Sequence, residues 1–198
     1  MNNIQDIIKE IKRLDKELLI EIQKNEEQFF YKIKGKKVFF EDEAKKYQKA
    51  FVTNVITYLA DAPVLNILTV PIIWSCIIPA LLIDVAVSVF QFICFTVYKI
   101  PKVKRSNYIV FDHHSLHYLN LIEKINCIYC SYFNGLIAYI QEIAARTEQY
   151  WCPIKHARKL AAVHSRYHKF LEYGDCEEYQ KKLKELRKDF GDINNEGQ

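Results

Sequence analysis

Glycine and proline are scarce here, with five of each in 198 residues. So few turn-forming residues exclude a loop-rich or collagen-like chain and point to long helices. Six cysteines are too few at this length for a secreted disulfide scaffold. A formal net charge of +4 is too small to argue for nucleic acid as a partner. There is no P-loop, no dinucleotide-binding glycine pattern, no nucleophile elbow and no H-E-x-x-H pair. The N-terminus carries no apolar stretch of the signal-peptide kind, so no cleavable leader is expected. Half the residues are hydrophobic and 26% are charged, which excludes a fully disordered chain. The length suits one ordinary domain with an appendage. None of these features names a reaction, and enzymatic activity stays open at this level.

What is present is unevenly distributed. Residues 1–28 read as a charged amphipathic helix, with Ile4, Ile7, Ile11, Leu14 and Leu18 at a/d spacing. The seam ends at Glu21, too short for a stable coiled coil, so this helix is expected to pack on its own domain. Residues 29–61 read as a β-hairpin with a turn at Lys34-Gly35-Lys36-Lys37, followed by helix. Residues 62–98 change character: Asp84 is the lone charge between Asp61 and Lys99. The 22 uncharged residues of 62–83 are enough for one membrane span.

Two topologies compete for this stretch. One continuous helix of 37 residues would be about 55 Å long and would bury Asp84. A helical hairpin turning near Pro79–Asp84 would place that carboxylate at an interface. Lys45, Lys46 and Lys49 precede the apolar run, and Lys99, Lys102, Lys104 and Arg105 come after it. Basic flanks on both sides favour the hairpin with both termini cytoplasmic. Residues 99–190 read as a helical cytoplasmic domain. In it, a long helix runs from about 113 to 149 behind Asp112, another starts at Pro153, and a last one is capped by Asp175. Residues 191–198 read as a frayed tail. The expected fold class is mostly α, with a membrane-associated helical hairpin and a small N-terminal β-hairpin.

The residues able to carry chemistry lie in 99–190. Cys127 and Cys130 form a C-x2-C pair, and Cys152 and His156 a C-x3-H pair, together C-x2-C-x21-C-x3-H. Three thiolates and one imidazole suit zinc, or iron. Helical spacing would bring each pair onto one face. Cys152, just ahead of a helix started by Pro153, would gain thiolate character from the positive helix end. Redox thiols and inert packed cysteines are the competing readings, and Cys76 and Cys94 are read as packing residues. His113 with His117, and His164 with His168, are spaced one turn apart and could chelate a cation. Glu142 and Arg146 are spaced for an i,i+4 ion pair.

The stretches IPKVKRSNYIVFDHH and YLNLIEKINCIYCSYFNGLIAYIQEIAARTEQYWCPIKHAR resemble a bacterial family of uncharacterised, predicted integral-membrane proteins. The apolar stretch 64–100 resembles that family's hydrophobic region. The resemblance covers about residues 36–175 and is most specific over Asn126–Arg158, where Cys127, Cys130, Cys152, Pro153 and His156 stand in matching positions. It implies a location in the bilayer and names no activity. The expectation is therefore a membrane-anchored protein that binds a metal through the Cys/His cluster. The alternative is a non-catalytic membrane scaffold whose terminal helices recruit a protein partner and whose cysteines merely pack.

Overall fold

The computed structural model describes residues 2–35 and 37–193; the side chains of 2–9 and 12 are outside that description. The chain is mostly helical, with one small two-stranded antiparallel sheet. It divides into two compact units, residues 1–62 with 112–128, and residues 63–111 with 129–198.

The first unit opens with α1, Asn2–Gln28. Arg13 pairs with Glu10 and Glu17, both at 2.5 Å, on its charged face. The expected packing of its apolar stripe is not found: Ile11, Leu14, Leu18 and Leu19 are all exposed. Those short-range ion pairs support the helix at a few tenths of a kcal/mol each. The side chains of Ile4, Ile7 and Ile8 lie outside the described residues. The β-hairpin forms as the alternation predicts, with β1 Tyr31–Lys34 paired to β2 Lys37–Phe40 and Ile33 opposite Val38. Gly35, at φ +63°, opens the two-residue turn where a left-handed backbone is required. A lone hairpin is marginal in water. Here Phe40 is buried and meets His117 edge to face at 6.1 Å between ring centroids.

The helix expected over 41–61 is interrupted, giving α2 Asp42–Lys49 and α3 Val55–Ala60. Asn54 caps α3 through its side-chain oxygen to the Ile56 N–H at 3.0 Å. This Asx turn competes with continued helix and supplies the break. Gln48 accepts the backbone N–H of His117 at 2.9 Å. Asp112 does not start the long helix. A 3-10 turn covers His113–Ser115, and α7 begins at Leu121. Asn120 and Glu123 explain that start: each side chain accepts the other's backbone N–H, at 3.0 and 2.9 Å, in a reciprocal capping box.

In the second unit, α4 Val64–Ser75 and α5 Ile77–Phe90 lead into a π-turn at Gln91–Phe95 and the short α6, Thr96–Tyr98. Together they make a 35-residue helical run, Val64–Tyr98, long and apolar enough to cross a membrane and little buried by the rest of the chain. The expected turn at Pro79–Asp84 does not form. Cys76, between α4 and α5, keeps right-handed helical angles of −65° and −16°. Pro79 falls in the first turn of α5, where its missing N–H costs little. The run ends at Lys99, in the left-handed region at φ +58°. The Ile100 N–H then reaches back to the Phe95 carbonyl at 2.9 Å, and both side chains are buried, which is a Schellman closure. Glycine is the usual residue at that position, and a lysine there costs about 1 kcal/mol.

α7, Leu121–Trp151, provides the core of this unit, with Tyr132, Leu136, Tyr139 and Ile143 buried at 4-3-4 spacing. Gly135 lies in this stripe because the connector crosses over it: a Cβ there would meet the Tyr108 carbonyl oxygen at 2.5 Å. Pro153 ends α7 rather than starting a helix. Beyond it, Ile154 bridges Leu171, and the segment is irregular except for a 3-10 turn at Tyr167–Lys169. α8, Cys176–Leu186, is capped as expected, with Asp175 accepting the Glu178 N–H at 2.8 Å. Residues 194–198 of the expected frayed tail lie outside the described residues.

Burial, then the nearby Lys124, Lys49 and Lys45, lower the pKa of His117 below its ordinary 6.5. The unfolded chain thus takes up a proton that the folded unit resists. His117 therefore contributes stability above about pH 6.5 that is lost as pH falls further. NMR titration of the His117 ring should give a midpoint below that of a peptide histidine, and a raised midpoint would contradict the packing described.

Candidate functional site

The two helices of the second unit are held in register by polar rungs. Ile77, Ala80, Asp84 and Val87 along α5, and Gln91 at the start of the π-turn, repeat at 3-4-3-4 spacing, and all are buried or half-buried. Asp84 faces Tyr132, and Gln91 faces Tyr139, seven residues further on in both helices. Equal steps place α5 and α7 side by side, running in the same direction. The π-turn then inserts one residue, so the next core position is Phe95 instead of Cys94.

The first rung is the Asp84 carboxylate, 8% exposed. It accepts two bonds from Arg105, at 2.6 and 3.2 Å, one from the Tyr132 hydroxyl at 2.9 Å, and one from Ser88 at 3.5 Å. Burial first, and then its hydrogen bond to Asp84, push the Tyr132 phenol up, which keeps it a donor. The Arg105 side chain remains 45% exposed, so its guanidinium links a buried charge to the surface. The second rung uses Gln91 as a substitute for backbone. Its Oε1 accepts the Val103 N–H at 2.9 Å, and its Nε2 donates to the Val103 carbonyl at 3.3 Å and to Tyr139. The connector after the apolar helix is thereby stitched to the two helices at Val103 and Arg105.

A third cluster secures the C-terminal end. Arg166 donates to Gln149 at 2.6 Å and to Asp192 at 2.5 Å, and Lys169 reaches Asp189 and Asp192 at 2.8 and 2.9 Å. Gln149, fully buried, donates to the carbonyls of Leu186 and Asp189. Burial would raise the Asp192 carboxyl, but hydrogen bonds from Arg166 and Lys169 outweigh it and hold it at about 2. Glu142 and Arg146 pair at 2.8 Å, as their spacing predicts, and Arg146 also donates to the Pro101 carbonyl.

The Cys/His pairs read from the sequence land apart. Cys127 and Cys130 lie a turn apart on α7, whereas Cys152 comes just after the far end of the same helix. The 22-residue step from Cys130 to Cys152 corresponds to about 33 Å of helix axis. Convergence would need a chain reversal between them, and α7 is unbroken from Leu121 to Trp151. His156 sits in the irregular segment, its backbone N–H bonded to the Tyr167 hydroxyl at 2.9 Å. The helix end that would have activated Cys152 is also absent, since Pro153 begins no helix. All six cysteines are free. Among the described residues no group of three or more His, Cys, Asp or Glu side chains could hold a metal ion.

Neither histidine pair shares one α-helix. His164 is instead 3.0 Å from Glu148, and His168 Nδ1 is 2.9 Å from the Ser165 carbonyl. No protein-family model, curated protein or solved structure matches this chain.

Sequence reasoning missed the rungs, although a signal was present. Asp84 and Gln91 are polar residues seven apart in an otherwise apolar run, the mark of a buried polar seam. Removing Arg105 would leave the Asp84 carboxylate with two of its four hydrogen bonds. Because the guanidinium is half exposed, Arg105→Ala should cost about 2 kcal/mol, between surface and buried ion pairs. Asp84→Asn/Arg105→Ala should recover part of that loss in thermal unfolding of detergent-solubilised protein. Strict additivity of the two substitutions would show that the pair carries no coupling.

Proposed function

We propose that this chain is a membrane-anchored scaffold, embedded from one side of the bilayer by the Val64–Tyr98 helix. The observation that carries the reading is the bare apolar surface of that helix. Ile78, Leu82, Val85, Val89 and Phe92 form a continuous exposed stripe opposite the Asp84–Gln91 seam, and α4 is exposed on nearly every side. Apolar patches of that length on a soluble protein mark an interaction surface, and lipid suits a long apolar stripe whose end is met by a lysine, Lys102 over the Phe92 ring at 4.5 Å.

The flanks argue for one-sided insertion. Gln48, ahead of the helix, bonds His117, beyond it. A full crossing would put the residues just before and after the helix on opposite sides. The chain would then have to return through hydrocarbon as irregular backbone carrying Lys99, Lys102, Lys104 and Arg105. Lipid tolerates this poorly, because the exposed Lys102 and Lys104 would each cost a few kcal/mol at bilayer depth. The basic flanks on both sides fit the cytoplasmic face for both. This keeps both termini on one side without the helical hairpin that the sequence favours.

Membership of the bacterial integral-membrane family that the sequence resembles belongs to the same proposal. The scaffold reading is preferred to the metal-binding one because Cys127 and Cys130 stand a helix length from Cys152. The exposed stripe of α1 supports a protein partner at the N-terminal end. Carbonate extraction should leave the protein with the membrane pellet, and reporter fusions at residues 50 and 198 should both report cytoplasm. Release by carbonate would end the membrane reading, and opposite reporter signals would replace it with a crossing helix.

A further inference from the structure

Where the apolar helix ends, the second unit holds a cavity of about 500 Å³ lined by Tyr98, Lys99, Tyr150, Lys184, Arg187 and Lys188. Four of the six lining residues are cationic and none is acidic. Several other basic residues of this unit are neutralised, among them the neighbours of the cavity lysines on α8: Lys181 pairs with Glu177 and Lys182 with Glu178, as Arg166 and Lys169 pair with Asp192. By contrast, Lys99, Lys184 and Lys188 make no ion pair among the described residues. Arg187 is fixed in place, its Nε donating to the Tyr150 carbonyl at 2.8 Å and its guanidinium 5.8 Å from the Tyr150 ring centroid. Tyr98 stacks on Tyr150 at 5.0 Å, and Trp151 meets both rings edge-on. Like charges gathered without a counter-ion raise one another's energy, and an anion entering among them relieves it. The backbone of Lys99 adds a second sign. It holds a left-handed conformation that glycine would occupy at lower cost, yet the position carries a cation that lines this cavity.

We propose that this cavity binds a phosphate group, supplied by an anionic phospholipid of the bilayer in which the helix lies. Lysine and arginine together are the recurrent phosphate donors, lysine as a point charge and arginine as a fork. Tyrosine and tryptophan at the end of an apolar helix are the side chains that settle at headgroup level. The lipid source rests on the membrane reading above; the phosphate chemistry does not, and a free phosphate would use the same donors.

The test uses the full chain in detergent micelles, titrated by calorimetry with dioctanoyl phosphatidic acid, dioctanoyl phosphatidylcholine and inorganic phosphate. Lys184→Ala/Lys188→Ala is compared with Lys181→Ala/Lys182→Ala, which removes equal charge from paired positions nearby. The expected result is saturable binding of phosphatidic acid that the first double substitution weakens about 30-fold, at roughly fivefold per lysine, and the second leaves unchanged. Phosphatidylcholine should bind far more weakly. Saturable binding of inorganic phosphate with the same pattern of loss supports the site and assigns it a soluble ligand. A protein released by carbonate that still binds phosphate this way loses the membrane reading and keeps the site. Equal loss in both double variants, or no saturable binding of any phosphate, overturns the proposal.

Discussion

The buried carboxylate of Asp84 is the constraint around which the second unit is arranged. A helix as apolar as Val64–Tyr98 has no intrinsic preference for one face, because hydrophobic attraction is non-directional. Asp84 supplies that preference. An ionised carboxylate cannot remain buried unpaired, so the helix must turn this face to Arg105 and Tyr132. Gln91 repeats the demand one heptad later through Val103 and Tyr139. Two polar rungs thus set the rotation of α5, its register on α7 and the path of the connector. The opposite face is left bare as a consequence.

Structure is legible in the sequence where it is decided locally. Gly35 between alternating apolar residues marks the hairpin, Asp175 marks the start of α8, and the i,i+4 spacing marks the Glu142–Arg146 pair. Each depends on neighbours within a few residues. Asp112 is an equally good cap by residue type, but the Asn120–Glu123 box satisfies two backbone donors instead of one. Pro153 suits a helix start by residue type and acts as a helix stop. Its predecessor already lies past the end of α7, and the bridge between Ile154 and Leu171 holds the chain there out of helical conformation.

The larger differences come from contacts distant in sequence. A lone charge in an apolar run reads as a turn at an interface when no partner for it stands nearby; the partner of Asp84 is 21 residues away in the connector. The Cys/His set reads as convergent only if the chain finishes one helix and reverses within the 21-residue gap. α7 instead runs unbroken to Trp151, with the connector packed over Gly135, and separates Cys130 from Cys152 by about 33 Å. The exposed stripe of α1 is a third case, since periodicity shows that a face is apolar without showing what covers it.

The central claim is that the seam faces protein while the opposite stripe lies along the bilayer. Spin labels placed singly at residues 82, 85, 89 and 92, in a cysteine-free background reconstituted into liposomes, measure it most directly through oxygen and nickel-chelate collision rates. One-sided insertion predicts high oxygen access, low nickel access and similar depth at all four positions. A depth that changes steadily by about 1.5 Å per residue would mark a crossing helix and contradict the account, as would free access of nickel to the whole stripe.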